Sequence, residues 1–329
     1  MKRIVKFIIV GVSALLLFAL LFLAGVMLWE KVNYSSFYSN ADREFKIPGM
    51  WGGSVPQGFE YLEDKQTYIY TGYHKDGKSP TMVYIMPDNG EGEARKIELF
   101  NEDGSSYTSH AGGVTVYKNH MFVASAGALD VFLLDDVLDT ADNIATKIKS
   151  IVIDFDVAFV EVKGDKIYAG EFYRPTHYET PESHHMITPK GDENKAVIYE
   201  FELDSETALP KSSVPSKVYS ITKEIQGMTF GDGSTIFLSR SWGVTDSNIY
   251  VYDESIAKTG TMTIGEATVP VTYLDSSCLT DNIVAPPMAE EIVYRNGKIY
   301  ILTEAACMKY VFGKLTGADH VYAYKFATK

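Results

Sequence analysis

The sequence is poor in the residues that build disulfide frameworks and nucleic-acid surfaces. It has two cysteines in 329 residues, Cys278 and Cys307, so a disulfide framework cannot be the basis of the fold. Outside the cell these two cysteines are able to form one disulfide, and two buried free thiols are the alternative. Acidic residues outnumber basic ones, 43 to 30, and the net charge of −13 argues against a nucleic-acid partner.

Familiar catalytic signatures are also missing. The sequence contains no Gly-x-Ser-x-Gly elbow, no glycine-rich phosphate loop before a helix and no Cys-x-x-Cys pair. Function therefore has to be inferred from the fold and from the polar residues that the fold brings together.

One long segment lacks charge altogether. Lys2, Arg3 and Lys6 precede an uncharged run over residues 7–29. As a helix this run is about 35 Å long, enough to cross a hydrocarbon core of about 30 Å. It is too long for an ordinary signal-peptide core and is followed by no Ala-x-Ala site or lipobox cysteine. We predict a single-pass signal-anchor over residues 1–30 with the rest of the chain extracytoplasmic, secretion after cleavage being the alternative.

The remainder of the chain repeats one pattern of strands five times. In the clearest copy, a strand over residues 226–230 is followed by a turn at Gly231-Asp232-Gly233 and by strands over 235–241 and 248–252. Repeats of about 40–50 residues are typical of propeller blades. A fourth strand follows four of the copies, and these strands are predicted over residues 94–100, 146–153, 216–222 and 267–274.

The fifth copy ends the chain without a fourth strand, whereas residues 44–48 form a strand with no blade of its own. We predict that this N-terminal strand completes the last blade and closes the ring. The predicted fold is all-β: a five-bladed β-propeller over residues 43–329, preceded by a tether over 31–42 and one N-terminal transmembrane helix.

Propeller geometry selects the candidate site. Residues that open each first strand and residues that close each second strand converge on one mouth of the central channel. The polar residues at these positions are the predicted ligand-binding residues: Gln57, Tyr73, His110, Glu171, Arg174, Gln226, Arg240, Trp242 and Glu304. Strand alternation lets one of Glu290 and Glu291, and one of Asp154 and Asp156, face the channel.

Several carboxylates at one mouth need compensation. Two of them about 4 Å apart repel by roughly 1 kcal/mol in water and about 4 kcal/mol at an effective dielectric of 20. A bound cation such as Ca²⁺, nearby arginines or a raised carboxyl pKa would each provide it. The candidate metal ligands are the acidic openers Asp154, Asp156, Glu290 and Glu291. Hydrogen bonding to strand ends and channel water is the alternative.

The third copy contains a long insertion over residues 172–194, between its second and third strands. A loop of this length is uncommon without a role. It contains His177, His184 and His185, but their spacing matches no known zinc pattern. We expect a mobile lid over the channel, with a surface loop as the alternative.

Three short motifs resemble those of the plant-type glutaminyl cyclases, which are five-bladed propellers. These are Pro56-Gln-Gly-Phe-Glu-Tyr61, Thr71-Gly-Tyr73 and Glu290-Glu-Ile-Val-Tyr294. The family has a Glu just before its Ser-Thr-Gly; that position is Ile69 in this sequence, and Tyr70 replaces the Ser. In the five-bladed glycoside hydrolases the first blade opens with Asp, where this chain has Gln57. The resemblance implies the architecture and transfers no catalytic residue.

Three functions remain open. The favoured one is binding of a small polar ligand, glycan or partner protein at the channel mouth, with or without a cation. The enzymatic alternative is a glycan or ester hydrolase, or a cyclase-like transferase. It would use Glu290 or Glu291 and Asp156 as acid and base, with His110 assisting. The third is a structural interaction module of the cell envelope.

Overall fold

The computed structural model describes residues 2–88, 93–310, 313 and 318–326. Its N-terminal helix α1 (Lys2–Asn33) is followed by the short helix α2 (Ser35–Asn40). Helix α1 is apolar and long enough to cross a membrane, and the most apolar 18-residue stretch within Arg3–Asn33 has a mean hydropathy of 2.9, although a signal sequence would pass the same test. Its apolar window is not buried in the protein.

The strands that follow form five antiparallel four-stranded units, which are the blades of a propeller. Parallel pairing between some outer strands joins these units, so the sheets contain eight, six, four, four and two strands. Strand β1 (Ala41–Lys46) comes first and belongs to the last blade. Blade 1 contains β2 (Ser54–Leu62), β3 (Thr67–His74), β4 (Met82–Pro87) and β5 (Arg95–Phe100). Blade 2 contains β6 (Val114–Tyr117), β7 (His120–Ser125), β8 (Ala128–Leu133) and β9 (Ile144–Val152), with helix α3 (Leu134–Asp139) between its last two strands.

Two of the other three blades, blades 3 and 4, contain an inserted hairpin. Blade 3 contains β10 (Val157–Lys163), β11 (Lys166–Glu171), the inserted hairpin β12 (Met186–Ile187) and β13 (Glu193–Asn194), then β14 (Ala196–Glu202) and β15 (Lys217–Ile221). Blade 4 contains β16 (Ile225–Phe230), β17 (Thr235–Arg240), β18 (Ser247–Asp253), the inserted hairpin β19 (Lys258–Ile264) and β20 (Ala267–Tyr273), then β21 (Leu279–Ala285). Blade 5 contains β22 (Ala289–Arg295), β23 (Lys298–Thr303), β24 (His320–Lys325) and β1.

The ring is closed by its N-terminal strand. Strand β1 pairs antiparallel with β24, with Ala41 opposite Tyr324 and Lys46 opposite His320. The inner strands β2, β6, β10, β16 and β22 contact one another in cyclic order around the axis. The predicted closure is therefore confirmed, with the closing strand a few residues earlier than the predicted 44–48.

One strand assignment was wrong. The predicted fourth strand of blade 4, residues 267–274, corresponds to β20, which pairs in parallel with the outer strand of blade 3. The fourth strand of blade 4 is β21, which pairs antiparallel with β18. The alternating pattern identifies a strand but not its partner, and here Val269 and Val271 are buried in the cluster that includes residues of blade 3.

Both faces of each blade are buried, because every blade is sandwiched between two neighbours. In β17, Ile236 and Leu238 pack into the cluster shared with blade 3, whereas Phe237 packs into the cluster shared with blade 5. Because alternate residues face opposite sides and both sides are buried, the sequence of such a strand is a nearly continuous apolar run. Both cysteines are free and buried in separate clusters, Cys278 beside blade 4 and Cys307 beside blade 5.

We call the face where the inner strands begin the mouth face. The connections between second and third strands lie on this face, and the turns between first and second strands lie on the opposite face. Residues 31–42, which we expected as a tether, complete α1, form α2 and enter β1. Phe37 of α2 is buried and stacks on Tyr324, 5.6 Å between ring centroids.

Candidate functional site

The channel is blocked at its axis by the side chain of Glu291. This residue is fully buried, and its Oε2 accepts hydrogen bonds from the backbone N–H of Phe59 at 2.6 Å and of Val114 at 3.0 Å. A Cβ added at Gly227 would lie 2.6 Å from the Glu291 Cα, so a glycine is required there. Glu291 therefore joins the inner strands of blades 1, 2 and 5 and lies out of reach of the mouth.

The neighbouring carboxyl of Glu290 points instead towards the mouth. A register shift between Ala289 and Ile292 breaks the alternation of β22, and this bulge directs two consecutive glutamates inward. The inner strands β2, β10 and β16 have register shifts near their starts as well. The expectation that only one of the two glutamates faces the channel was wrong for this reason.

Glu290 forms a buried pair with Glu304, from the end of β23. The two carboxyls hydrogen-bond to each other, and Gln57 Nε2 donates to Glu304 Oε2 at 3.0 Å. Burial raises the pKa of Glu304 to about 7. Burial and the nearby Glu304 charge raise the pKa of Glu290 well above its usual range. The pair therefore shares a proton near neutral pH.

An aromatic and basic group lies beside this carboxyl pair. The His110 ring stacks on Tyr73, 4.5 Å between centroids, and Lys309 Nζ donates to the Tyr73 hydroxyl. His110 is exposed at the mouth. Partial desolvation by the neighbouring side chains, with the Lys309 charge, lowers the pKa of His110 to about 4, so the imidazole is neutral at physiological pH.

The other side of the mouth, at blades 3 and 4, is cationic. Glu224 is fully buried and forms ion pairs with Arg174 and Arg240, one through each carboxylate oxygen. Burial alone would raise the pKa of Glu224, but the two guanidinium groups lower it below its usual range. Since one carboxylate is shared by two arginines, the trio has a net charge of about +1.

Trp242 covers this ion pair. The Arg174 guanidinium lies 4.8 Å from the Trp242 ring centroid, and Phe172, His177 and Tyr178 have their ring centroids within 6.1 Å of it. We call Arg174, Glu224, Arg240 and Trp242 the arginine–tryptophan patch. The sequence predicted three of these residues and missed Glu224, which precedes the opener Gln226 and has a positive φ of 64°.

Glu171 has a structural partner rather than a place at the mouth. It is buried, its Oε2 accepts from the backbone N–H of Val197 at 3.0 Å, and its Oε1 lies 2.9 Å from His184 Nδ1. The Tyr199 hydroxyl lies 3.2 Å from His184 Nε2. His184 thus anchors the insertion to blade 3, where we had expected a mobile lid.

The remaining acidic openers do not form a metal centre. Asp154 and Asp156 are exposed at the start of β10. Within the described ranges, no three His, Cys, Asp or Glu side chains are grouped so as to hold a metal ion. Gln226 is half-buried at the start of β16.

The opposite end of the channel contains a cavity of about 260 Å³ that the sequence did not indicate. Glu60 and Glu161 line it, and the Arg295 guanidinium stacks on Tyr61 at its edge, 3.8 Å from the ring centroid. Burial raises the pKa of Glu60 to about 7, and burial with the Glu60 charge raises that of Glu161 well above its usual range. These glutamates occur within strands, where the sequence gives no sign of an enclosed carboxyl.

No family model matches the sequence, and no curated protein matches it. Solved structures that resemble the chain include a luciferin-regenerating enzyme, 11% identical, covering 87% of this chain and 98% of that one with a TM-score of 0.44. A Myxococcus xanthus glutaminyl cyclase is 9% identical, covering 80% and 91%, with a TM-score of 0.39. A PQQ-bound aldose sugar dehydrogenase from Streptomyces coelicolor is 12% identical, covering 86% and 96%, with a TM-score of 0.45.

Proposed function

We propose that this protein is a membrane-anchored extracytoplasmic propeller that binds a small polar ligand with an anionic group at the mouth of its channel. The arginine–tryptophan patch is the observation that carries this proposal. Two guanidinium groups with five donors each meet a single carboxylate, so donors remain for a ligand anion. Arginine presents these donors in a planar fork that suits a carboxylate or a phosphate.

The aromatic residues indicate what accompanies the anionic group. Trp242 is half-buried, and Phe172 and Tyr178 surround it with further apolar surface. An acidic sugar, with a carboxylate next to a ring that stacks on Trp242, would satisfy both features. Because Glu291 blocks the axis, a ligand enters and leaves by the same mouth.

The test is thermal unfolding of the full chain in detergent with uronic acids and sialic acid, using the matching neutral sugars as ligand controls. A ligand that binds only the folded state at about 100 times its Kd adds about 2.7 kcal/mol to the free energy of unfolding. We expect saturable stabilisation by an acidic sugar, lost in Trp242→Ala and weakened in Arg174→Lys, which keeps the charge beside Glu224.

The control is Trp51→Ala, which removes an exposed tryptophan outside the patch. It should retain the stabilisation. Equal stabilisation of the parent and of Trp242→Ala, or none by any acidic sugar, would exclude this ligand class. A pull-down on the full chain would then test the partner-protein alternative.

A second candidate function is acid–base catalysis by Glu290 and Glu304. A buried carboxyl pair that shares a proton near pH 7 can supply both an acid and a base at one site. Glu290→Gln would abolish turnover of a glycan or ester substrate while leaving the melting temperature close to that of the parent. Unchanged turnover in this variant would remove the pair from the mechanism.

A further inference from the structure

The two N-terminal helices meet at one residue, Tyr34, whose φ of −102° and ψ of 26° are not helical. The backbone N–H of Tyr34 donates to the carbonyl of Glu30 at 2.9 Å, and that of Tyr38 donates to the carbonyl of Tyr34 at 3.0 Å. These two bonds hold the last turn of α1 and the first turn of α2 together. The end of α1 therefore lies where α2 begins on the propeller.

Helix α2 runs from the mouth face towards the opposite face. At its beginning, the Tyr34 hydroxyl donates to Asp246 Oδ1 at 2.7 Å, and Asp246 lies in the mouth-face connection between β17 and β18. At its end, the chain enters β1 at Ala41, which is opposite Tyr324 near the far end of β24. Followed backwards, α1 thus leaves the propeller from the mouth face.

No spacer separates the apolar run from the propeller. Trp29, the last residue of the run, is 60% exposed, whereas the next residue, Glu30, is 3% exposed and accepts a hydrogen bond from the Tyr38 hydroxyl. One residue of helix advances about 1.5 Å. A tryptophan at the end of an apolar helix is typical of the membrane–water interface. The first residue beyond the run is therefore already packed on the protein.

The mouth face also carries exposed apolar side chains. Among described residues outside α1, the five most exposed large apolar side chains all lie on this face. They belong to the segment before β2, the end of β9, the blade 3 insertion and the β17–β18 connection: Val152 (81%), Trp51 (67%), Ile187 (67%), Val244 (63%) and Tyr178 (55%). We call these five residues the apolar rim.

We propose that the mouth face of the propeller lies directly on the bilayer that α1 crosses, with the apolar rim in contact with lipid. The exit of α1 from this face and the missing spacer bring the loops to the membrane surface. Burial of the rim in the interface removes apolar area from water, which favours this orientation. The occupant of this surface is a lipid bilayer, since the apolar helix α1, whose membrane crossing is part of the proposed function, emerges from the same face.

This geometry also restricts the ligand, in a way that rests on the proposed function. A mouth that faces lipid is approached along the membrane plane. The anionic group that meets Arg174 and Arg240 would then belong to the headgroup of an amphiphile held in the same bilayer. Such a headgroup would stay within reach of Trp242 while its acyl chains remain in lipid.

The test uses tryptophan fluorescence of the full chain in nanodiscs of phosphatidylcholine with or without brominated acyl chains. In a Trp29→Phe, Trp242→Phe variant, Trp51 is the remaining tryptophan. We expect its emission to be lost in brominated lipid, because bromine quenches only at contact. The matched control replaces all three tryptophans by Phe and adds Ile256→Trp, an exposed position after β18 on the opposite face. This reporter should keep its emission.

Equal emission of Trp51 in brominated and plain lipid, or equal quenching of both reporters, would overturn the proposal. Far-ultraviolet circular dichroism and the melting temperature of both variants verify that they are folded. No ligand is present in this measurement, so it reports on the orientation of the mouth alone. If the acidic-sugar test in detergent failed, the outcome of the fluorescence measurement would not change. The two proposals can therefore fail separately.

Discussion

At the scale of single residues, several glutamates of this protein are buried, where a carboxylate loses its hydration. Glu291 accepts two backbone hydrogen bonds at the axis, Glu224 pairs with two arginines, and Glu290 shares a proton with Glu304. Each has a different compensation for its loss of hydration. The acidic composition of the chain is thus partly a feature of its interior.

Replacing Glu291 with Ala should destabilise the propeller by about 2–6 kcal/mol, because the N–H groups of Phe59 and Val114 each lose their acceptor at about 1–3 kcal/mol. The measurement is urea unfolding of the full chain in detergent. Glu291→Gln keeps an acceptor oxygen and is the matched control, with a smaller loss expected. Equal urea midpoints for Glu291→Ala and the parent would show that the Glu291 hydrogen bonds contribute nothing to stability.

Candidate site residues could be predicted from the sequence where their place at the mouth depends only on their position along a strand. Arg174, Arg240 and Trp242 close second strands or follow them, and the fold brings them together. Glu224 could not be predicted, since a positive φ before a strand has no signal in a single sequence. The inward direction of both Glu290 and Glu291 depends on a bulge, which strand alternation cannot show.

At the scale of secondary-structure elements, the insertion in blade 3 is anchored by one buried histidine. His184 contacts Glu171 and Tyr199, and at the end of the same insertion Asn194 Nδ2 donates to the carbonyls of Ser220 and Leu274. Its first residues line the mouth, through Tyr178 beside Trp242. The insertion therefore shapes one wall of the mouth.

His184→Ala should release the middle of the insertion. The loss leaves Glu171 Oε1 buried without its partner, at a cost of about 1–3 kcal/mol. Limited proteolysis should then cut within residues 172–195 faster than in the parent. His177→Ala is the control, because that ring is exposed in the same insertion, and it should be cut at the parental rate. Identical rates for all three proteins would contradict the anchoring role.

Strand positions could be predicted well from the sequence, whereas strand partners could not in every case. The hairpin β19–β20 has the same alternation as an outer strand, yet it pairs with β15 of blade 3. Pairing across blades is decided by which apolar surface is left uncovered, and this depends on the assembled ring. Helix α2 was missed because its polar residues suggested a tether, while its burial rests on Phe37.

At the scale of the whole molecule, the buried carboxyls link stability to pH. Burial raises the pKa of Glu60 and of Glu304 to about 7, and raises those of Glu161, Glu290 and Glu291 well above the usual range. The folded protein thus retains protons that the unfolded chain has released. Stability from these groups is present below the unfolded pKa of 4.5 and is lost as pH rises through the folded values.

The melting temperature of the full chain in detergent should therefore fall between about pH 6 and about pH 8. His110, whose pKa is lowered to about 4, acts in the opposite sense, but it is neutral in both states above its ordinary pKa of 6.5. Glu304→Gln should flatten the dependence, since an amide does not titrate. A melting temperature that rises over this interval would show that these carboxyls are ionised in the folded state.

The pairing of β1 with β24 also sets the order in which the molecule can be made. The first strand to be synthesised has its partner near the end of the chain, and the ion pair between Asp42 and Lys325 joins residues 283 positions apart. During synthesis, the ring stays open until the last blade has formed. If α1 is held in a membrane, β1 would remain unpaired at the membrane surface until β24 is present. Its free backbone edge could then pair with other chains. Chaperone protection is needed most in this interval, and any chain truncated before β24 would remain permanently unclosed.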